Sequence, residues 1–362
     1  MPKRWVVLVT ILGVVVCVCL GFNSVHAQAE KRITWRYAMY SPSVKTSTGV
    51  VAKWFFDEVE KRSGGRLNVE YFMAESLVPG ARQPDALLSG LCEATGFVPS
   101  YYPAKLPLYS ISMMPGILPE LDYGEGYRKF INIFEDWFET PALKAELAKW
   151  KAMEIGEFYP LYNSILSRVP IKNLADLHGK KIRAAGGALD ALKVAGASPV
   201  FLGMPDVYDA FDKGVVEGAA HSWEIFSGGY KWYELANNWT YGVPLGHISC
   251  NLMISKKAYD ALPSDLQKVI QEVKKDFPKF QSTHWETRRT EAIDFFKKRG
   301  MTITEFPAAD AAEMRKMYAG IWKSIIDKSE GQGNAAGNAF NSLQSIVKKH
   351  IPSYEIPYVY KK

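Results

Sequence analysis

Residues 173–223, NLADLHGKKIRAAGGALDALKVAGASPVFLGMPDVYDAFDKGVVEGAAHSW, break into short apolar runs set off by glycines. Asn173 suits the cap of a short turn through Leu177, and Gly179 stops that turn. Lys180–Ala185 then reads as a buried strand whose end is released by Gly186-Gly187. The rest of the segment continues as helix, strand and helix to a last strand at Glu217–Trp223, the alternation of an α/β protein. Arg183 falls near the carboxyl end of the first strand. In open α/β sheets ligands bind beyond such strand ends, and a guanidinium fork matches a carboxylate or phosphate with two parallel hydrogen bonds. On position alone, Arg183 reads equally as a solvated or structural ion-pair residue.

Working outward, the 362-residue chain is 48% hydrophobic, which suits one large or two medium domains with substantial cores. The net charge of +6 falls to +4 once Lys3 and Arg4 are removed with residues 1–27. That mild charge, with acids interleaved among the bases, gives no reason to expect nucleic acid. Lys3-Arg4 precede an apolar run from Trp5 to Phe22, and Val25-His26-Ala27 suits signal peptidase, so a leader over 1–27 and a mature start at Gln28 are expected. An uncleaved membrane anchor is the alternative, because the run is about as long as the shortest spanning helix. Val16 before Cys17 disfavours lipid attachment. Cys92 and Cys250 remain beyond the leader; they read either as a disulfide or as two buried thiols.

Before the central segment, Ile33, Trp35 and Tyr37 alternate as a strand, and Val51, Trp54, Phe55 and Val59 share one face of a helix that ends at Ser63-Gly64-Gly65. Leu67, Val69 and Tyr71 form the next strand, Ala86–Leu91 a helix end, and Glu93–Val98 another strand. Tyr127–Phe138 and Pro141–Trp150 read as helices, the second capped by Thr140 with Pro141 at its first position. Glu154–Tyr159 and Asn163–Val169 are strand-like. After the central segment come a helix at Ser227–Ala236 and strands at Trp239–Val243 and His247–Ser255. Ser264-Asp265-Leu266-Gln267 has the form of a capping box opening a helix to about Arg299, roughly 50 Å long and bent or broken at Pro278. Met301–Phe306 is a last strand, Glu313–Lys328 an amphipathic helix, Ser342–His350 a short helix, and 351–362 an extended strap.

Two stretches carry a family resemblance. Leu174-Ala175-Asp176-Leu177-His178-Gly179-Lys180-Lys181-Ile182-Arg183 is similar to the run that leads to the ligand-clamping arginine in solute-binding subunits of tripartite ATP-independent periplasmic (TRAP) transporters. Val207 to His221, VYDAFDKGVVEGAAH, resembles a second stretch of that family. Weaker matches include Arg62–Leu67, Ala74-Glu75-Ser76-Leu77 and Ile254–Lys257. The resemblance implies a two-lobe periplasmic binding protein fold, each lobe a mixed sheet flanked by helices, with a long helix bracing both. It implies lobe 1 from 28–158 and 245–285, and lobe 2 from 159–244 and 286–362.

Known catalytic signatures are missing from the sequence: there is no Gly-x-Ser-x-Gly elbow, His-Glu-x-x-His, P-loop or complete dinucleotide glycine pattern. His178, His221, His247, His284 and His350 lie too far apart for a local metal pair, so neither metal nor cofactor is expected. By resemblance Arg183 holds a ligand carboxylate and His221 orients a second polar group. Glu75, Met204, Trp223, Asn163 and Tyr101 are the further candidates for the cleft. Tyr102, Tyr162, Trp239 and Tyr241 are aromatics that either line it or pack in the core. Departures from the family pattern shape the ligand. Asn163 stands where many members have a second arginine, Met204 where many have an aromatic, and His221 where many have asparagine. Ala220-His221 replaces the Glu-Trp of a subgroup that binds 2-oxo acids through a cation. A sialic acid or metal-bridged ligand is therefore not expected, and a small monocarboxylate with an apolar or aromatic body is. The chain is expected to be a periplasmic monomer that is not an enzyme and hands its ligand to TRAP permease subunits. Partnership with a signalling receptor, or secreted enzymatic activity, are the alternatives.

Overall fold

The computed structural model describes residues 32–121, 125–157, 161–228, 230–356 and 358–361. The expected leader and Gln28 lie outside them. Among the described residues the strands are β1 (Ile33–Ala38), β2 (Leu67–Phe72), β3 (Ala94–Phe97), β4 (Ala152–Glu157), β5 (Leu161–Tyr162), β6 (Ser164–Ser167), β7 (Lys181–Ala184), β8 (Ser198–Phe201), β9 (Gly218–His221), β10 (Asn238–Tyr241), β11 (His247–Ile248), β12 (Asn251–Ser255) and β13 (Thr302–Glu305). They build two mixed sheets, ordered β2-β1-β3-β12-β4 and β13-β10-β6-β9-β7-β8. In the first, β1 and β3 run parallel while β12 is antiparallel to both β3 and β4. In the second, β7 is parallel to β8 on one side and β9 on the other, while β6 is antiparallel to β9 and β10.

The chain passes between the sheets along an antiparallel ribbon of β5 and β11, in which His247 pairs with Tyr162. The expected single strand 247–255 is thus two strands, parted at Ser249-Cys250. His247 is enclosed by the rings of Phe130 and Phe134, at 5.2 and 5.3 Å, and burial pulls its imidazole down to about 3. It is a neutral core residue.

The long helix, Ser264–Lys298, is the second tie. Its first half packs on the five-stranded side: Phe280 stacks on Trp54 at 4.2 Å, and the Lys274 ammonium meets Glu154 at 2.9 Å. Its second half serves the other sheet through Trp285 against Trp223 at 6.3 Å and Phe296 against Trp239 at 5.2 Å. Pro278 stands inside it without ending it, so the expected interruption does not occur. The expected capping box does not form either, since Gln267 donates instead to carbonyls of the preceding turn, Leu262 among them at 3.0 Å.

Asn173 does cap its turn, accepting the Asp176 N–H at 3.1 Å. Thr140 precedes Pro141 as expected, but its hydroxyl turns back to Trp137 O at 2.6 Å. The region 227–236 is not one helix: Trp223–Ser227 ends at Gly228, and a short turn follows at Trp232–Glu234. The amphipathic helix expected at 313–328 is split into Ala308–Met317 and Ala319–Gly331. The last helix, Ala336–His350, packs on Glu125–Phe138, where Asp136 receives His350 at 2.7 Å and Lys349 at 2.6 Å. Residues 351–362 form no helix or strand among those described, and Tyr354 donates to Ile117 O at 2.9 Å. Cys92 and Cys250 are both buried free thiols.

Candidate functional site

Strand β7 has a parallel neighbour on each side, reached by the chain in turn, so its carboxyl end is a point where strand order reverses. Crevices open at such points. Arg183 is the penultimate residue of β7, opposite Val200 of β8 and Ala219 of β9. Beyond it the chain turns through Gly186, whose φ of +57° favours glycine, and Gly187, where a Cβ would lie 2.8 Å from Met113 O. The glycine pair thus lets β7 end close against segment 100–115.

Arg183 is 97% buried. Its Nε and Nη2 donate to Leu202 O at 3.1 and 3.0 Å, and its Nη1 donates to Ala220 O at 3.3 Å. A guanidinium has five N–H donors, so one remains on each terminal nitrogen. Its Cζ lies 5.8 Å from the Trp232 ring centroid, within cation–π range. No carboxylate among the described residues makes a salt bridge to it. Burial pulls the guanidinium down to about 10, with Tyr101 and Tyr230 opposing. It is a buried cation held by carbonyl dipoles and the Trp232 face, without a counter-ion among the described residues.

His221 closes β9, and its ring stands 6.1 Å from Trp232, edge to face. Burial, and then the Arg183 charge, hold its imidazole well below the ordinary histidine range. Its Nδ1 accepts the Ser222 N–H at 2.8 Å. A neutral ring that accepts at Nδ1 carries its proton on Nε2, so His221 offers a donor. Tyr101 packs at 5.6 Å on Tyr40 and keeps 42% of its surface. Its hydroxyl is nonetheless desolvated and raised above the tyrosine range, with Glu75 raising and Arg183 lowering it further.

The remaining candidates are placed as follows. Asn163 directs both its backbone and side-chain N–H to Gly246 O, at 2.9 and 3.1 Å, across the crossing ribbon. Met204 is half-buried at the turn after Leu202. Trp223 is fully buried against Trp285 of the long helix. Tyr102 accepts Val98 N–H at 2.6 Å, Tyr162 donates to Pro119 O at 2.9 Å, Trp239 donates to Ser164 Oγ at 2.9 Å, and Tyr241 donates to Glu305 at 3.2 Å. Those four serve the framework. Tyr230 and Trp232 were not singled out from the sequence, although both stand within reach of Arg183. The double glycine in the sequence at 228–229 was the available signal, since Gly228 ends the helix ahead of the aromatics that follow. Among the described residues no cluster of histidine, cysteine or carboxylate side chains is arranged to hold a metal.

Residues 37–329 match the model of the family described as bacterial extracellular solute-binding protein, family 7. The chain belongs to that family. It is a TRAP transporter solute-binding subunit, and the fold neighbours are two-lobe proteins of the same kind. One is a marine metagenome TRAP solute-binding protein specific for aromatic acid ligands, solved with 3-hydroxybenzoate. It is 21% identical, with TM-score 0.76 over 89% of this chain and 99% of its own. A TRAP protein from Desulfovibrio salexigens gives 20% identity and TM-score 0.75 over 89% and 98%. The sialic acid-binding periplasmic protein SiaP of Vibrio cholerae is 24% identical over 78% of this chain and 84% of its own length.

Proposed function

We propose that this solute-binding subunit captures a small organic acid, a monocarboxylate with an apolar or aromatic body, and delivers it to a TRAP-type membrane permease. The observation that carries this is Arg183: a buried guanidinium with two spare N–H groups and no ion partner is a seat for an anion. Its Nε side is already occupied by Leu202 O, so the carboxylate takes the remaining hydrogens of the two terminal nitrogens. His221 donates from Nε2 to a second acceptor, and Tyr101, Tyr230 and Trp232 supply aromatic walls. The aromatic-acid protein among the fold neighbours supports a ligand of this size and character. Asn163 in place of a second arginine speaks against the ligands of two-arginine relatives, such as sialic acid.

The lobes are assigned as 28–158 with 245–285 and 159–244 with 286–362. The two sheets, and the switch of packing partners along the long helix between Phe280 and Trp285, support that division as far as β13, whereas Ala336–His350 on Glu125–Phe138 and Tyr354 on Ile117 tie the C-terminal segment to residues of the first lobe. Export through a cleaved leader ending at Ala27 belongs to the same proposal, and intact mass of periplasmic material tests it. For the ligand, the decisive experiment is calorimetry on wild type, Arg183→Lys and Arg183→Ala. It is accompanied by mass spectrometry of whatever is released when natively purified protein is denatured. Equal affinities across the three would remove Arg183 from the site.

A further inference from the structure

Glu75 takes no part in holding a carboxylate on Arg183, yet the chain accepts backbone strain to place it. Ala74 and Glu75 both adopt left-handed conformations, with φ of 53° and 59°, which residues other than glycine seldom occupy. The turn is pinned by Ala74 N–H to Ser41 O at 2.8 Å and Glu75 N–H to Met39 O at 3.1 Å. The carboxylate then lies over Gly80, where a Cβ would fall 2.9 Å from Glu75 Oε1 and 3.2 Å from the Tyr101 ring. Gly80 therefore leaves room for an acid seated against an aromatic face. Among the described residues no hydrogen bond or ion pair engages that acid. Tyr101 and Tyr230 each sense both charges, Glu75 raising and Arg183 lowering their hydroxyls. The exposed Glu75 carboxylate thus stands beside the Tyr101 ring, Tyr230 packs at 6.2 Å on the Trp232 that faces Arg183, and neither charge has an ion partner among the described residues.

We propose that the ligand is dipolar, with its carboxylate on Arg183 and an ammonium or quaternary ammonium group seated between Glu75 and the Tyr101 and Tyr230 rings. The inference rests on the carboxylate role of Arg183 and adds the second pole. Chemistry favours it at both ends. A cation gains from a carboxylate and from the negative faces of tyrosine rings together. An acid lacking a cation leaves Glu75 uncompensated as the cleft closes, and a dicarboxylate is repelled there.

Matched probes test this on the full mature chain by calorimetry: L-phenylalanine, L-phenyllactate and 3-phenylpropionate; L-leucine, 2-hydroxyisocaproate and 4-methylpentanoate; glycine betaine and its cation-free isostere 3,3-dimethylbutanoate. The tightest binder should carry the cation and exceed its cation-free partners by about tenfold or more, a difference of about 1.4 kcal/mol. Glu75→Gln, which keeps the side chain's size, should remove that advantage while leaving the cation-free acids within about threefold. A cation-free acid as the tightest binder, a silent panel, equal weakening of both classes by Glu75→Gln, or release from native protein of an acid without a cationic group would each overturn the proposal. The two readings fail separately. If Arg183→Ala abolishes binding and Glu75→Gln changes nothing, only the dipolar ligand is lost; if neither variant alters affinity, the carboxylate seat is lost too.

Discussion

Arg183 and Glu146 are equally buried, at 3% and 2% exposure, yet their surroundings are opposite. Glu146, in the helix Pro141–Lys149, accepts the backbone N–H groups of Leu108 and Tyr109, both at 2.8 Å. Nearby, Glu157 of β4 accepts from Ser249 Oγ and from Cys250 N–H at 2.7 Å. These acids are satisfied from within the fold and fix segment 106–113 and the start of β12 in place. Arg183 is met by the carbonyls of Leu202 and Ala220 and by the Trp232 ring, and by no carboxylate among the described residues. The contrast separates a buried charge that builds the scaffold from one left incomplete for a ligand.

The strongest way to break the contrast is Arg183→Ala. Ligand affinity should fall by about two to four decades, the roughly 3–5 kcal/mol of stranding a buried carboxylate, while the unliganded protein keeps its stability. Arg183→Lys should recover part, because an ammonium keeps the charge but not the fork. Calorimetry, with circular dichroism to confirm folding, reads both. A large stability loss with little change in affinity would make Arg183 a scaffold residue like Glu146.

Glu146→Gln should do the reverse. The Glu146 carboxyl is raised from 4.5 to about 7, chiefly by burial, so the folded chain holds its proton more tightly than the unfolded chain. Its contribution to stability is therefore greatest below about pH 4.5 and is lost as pH rises through about 7, a change of about 3 kcal/mol. Urea unfolding across that range should show the fall in wild type and a flatter profile in Glu146→Gln, with ligand affinity unchanged. Parallel profiles would remove Glu146 as the source.

A smaller effect sharpens the role of His221. Since its ring is already neutral, affinity should stay flat between pH 6 and 8, and His221→Ala should cost about 0.5–1.5 kcal/mol, a factor of a few to about tenfold. His221→Gln, with a donor at a similar reach, should restore part of the loss. A steep gain in affinity on acidification would show that the imidazolium is the binding form. The least change is expected in shape: X-ray scattering should give a smaller radius of gyration with ligand, as the lobes close over the acid. An unchanged radius at saturation would mean a preformed site.

The division between what was and was not legible in the sequence follows the range of the interactions. Alternation at Ile33, Trp35 and Tyr37, the Asn173 cap and the Gly186-Gly187 release are local, and each stands where local chemistry put it. Arg183 was singled out because strand end, glycine pair and family pattern coincide on one residue. The absence of a counter-ion among the described residues was not readable, since that depends on what distant segments fail to bring there. Tyr230 and Trp232 were absorbed into an expected helix that Gly228 ends. Glu157 reads as an ordinary polar strand residue until Ser249 and Cys250, over ninety positions later, fold onto it. The long helix shows the limit of motif logic, because Gln267 prefers neighbouring carbonyls to its own N-terminus.

Cys92 and Cys250 are fully buried, and desolvation raises both thiols, Cys92 to about 12 and Cys250 well above its ordinary value. Few thiolates are present at neutral pH, so oxidants and alkylating reagents meet an inert surface. The same burial makes Cys250 a clock. It lies between β11 and β12, where the ribbon joins the five-stranded sheet, so its rate of alkylation counts how often that junction comes apart.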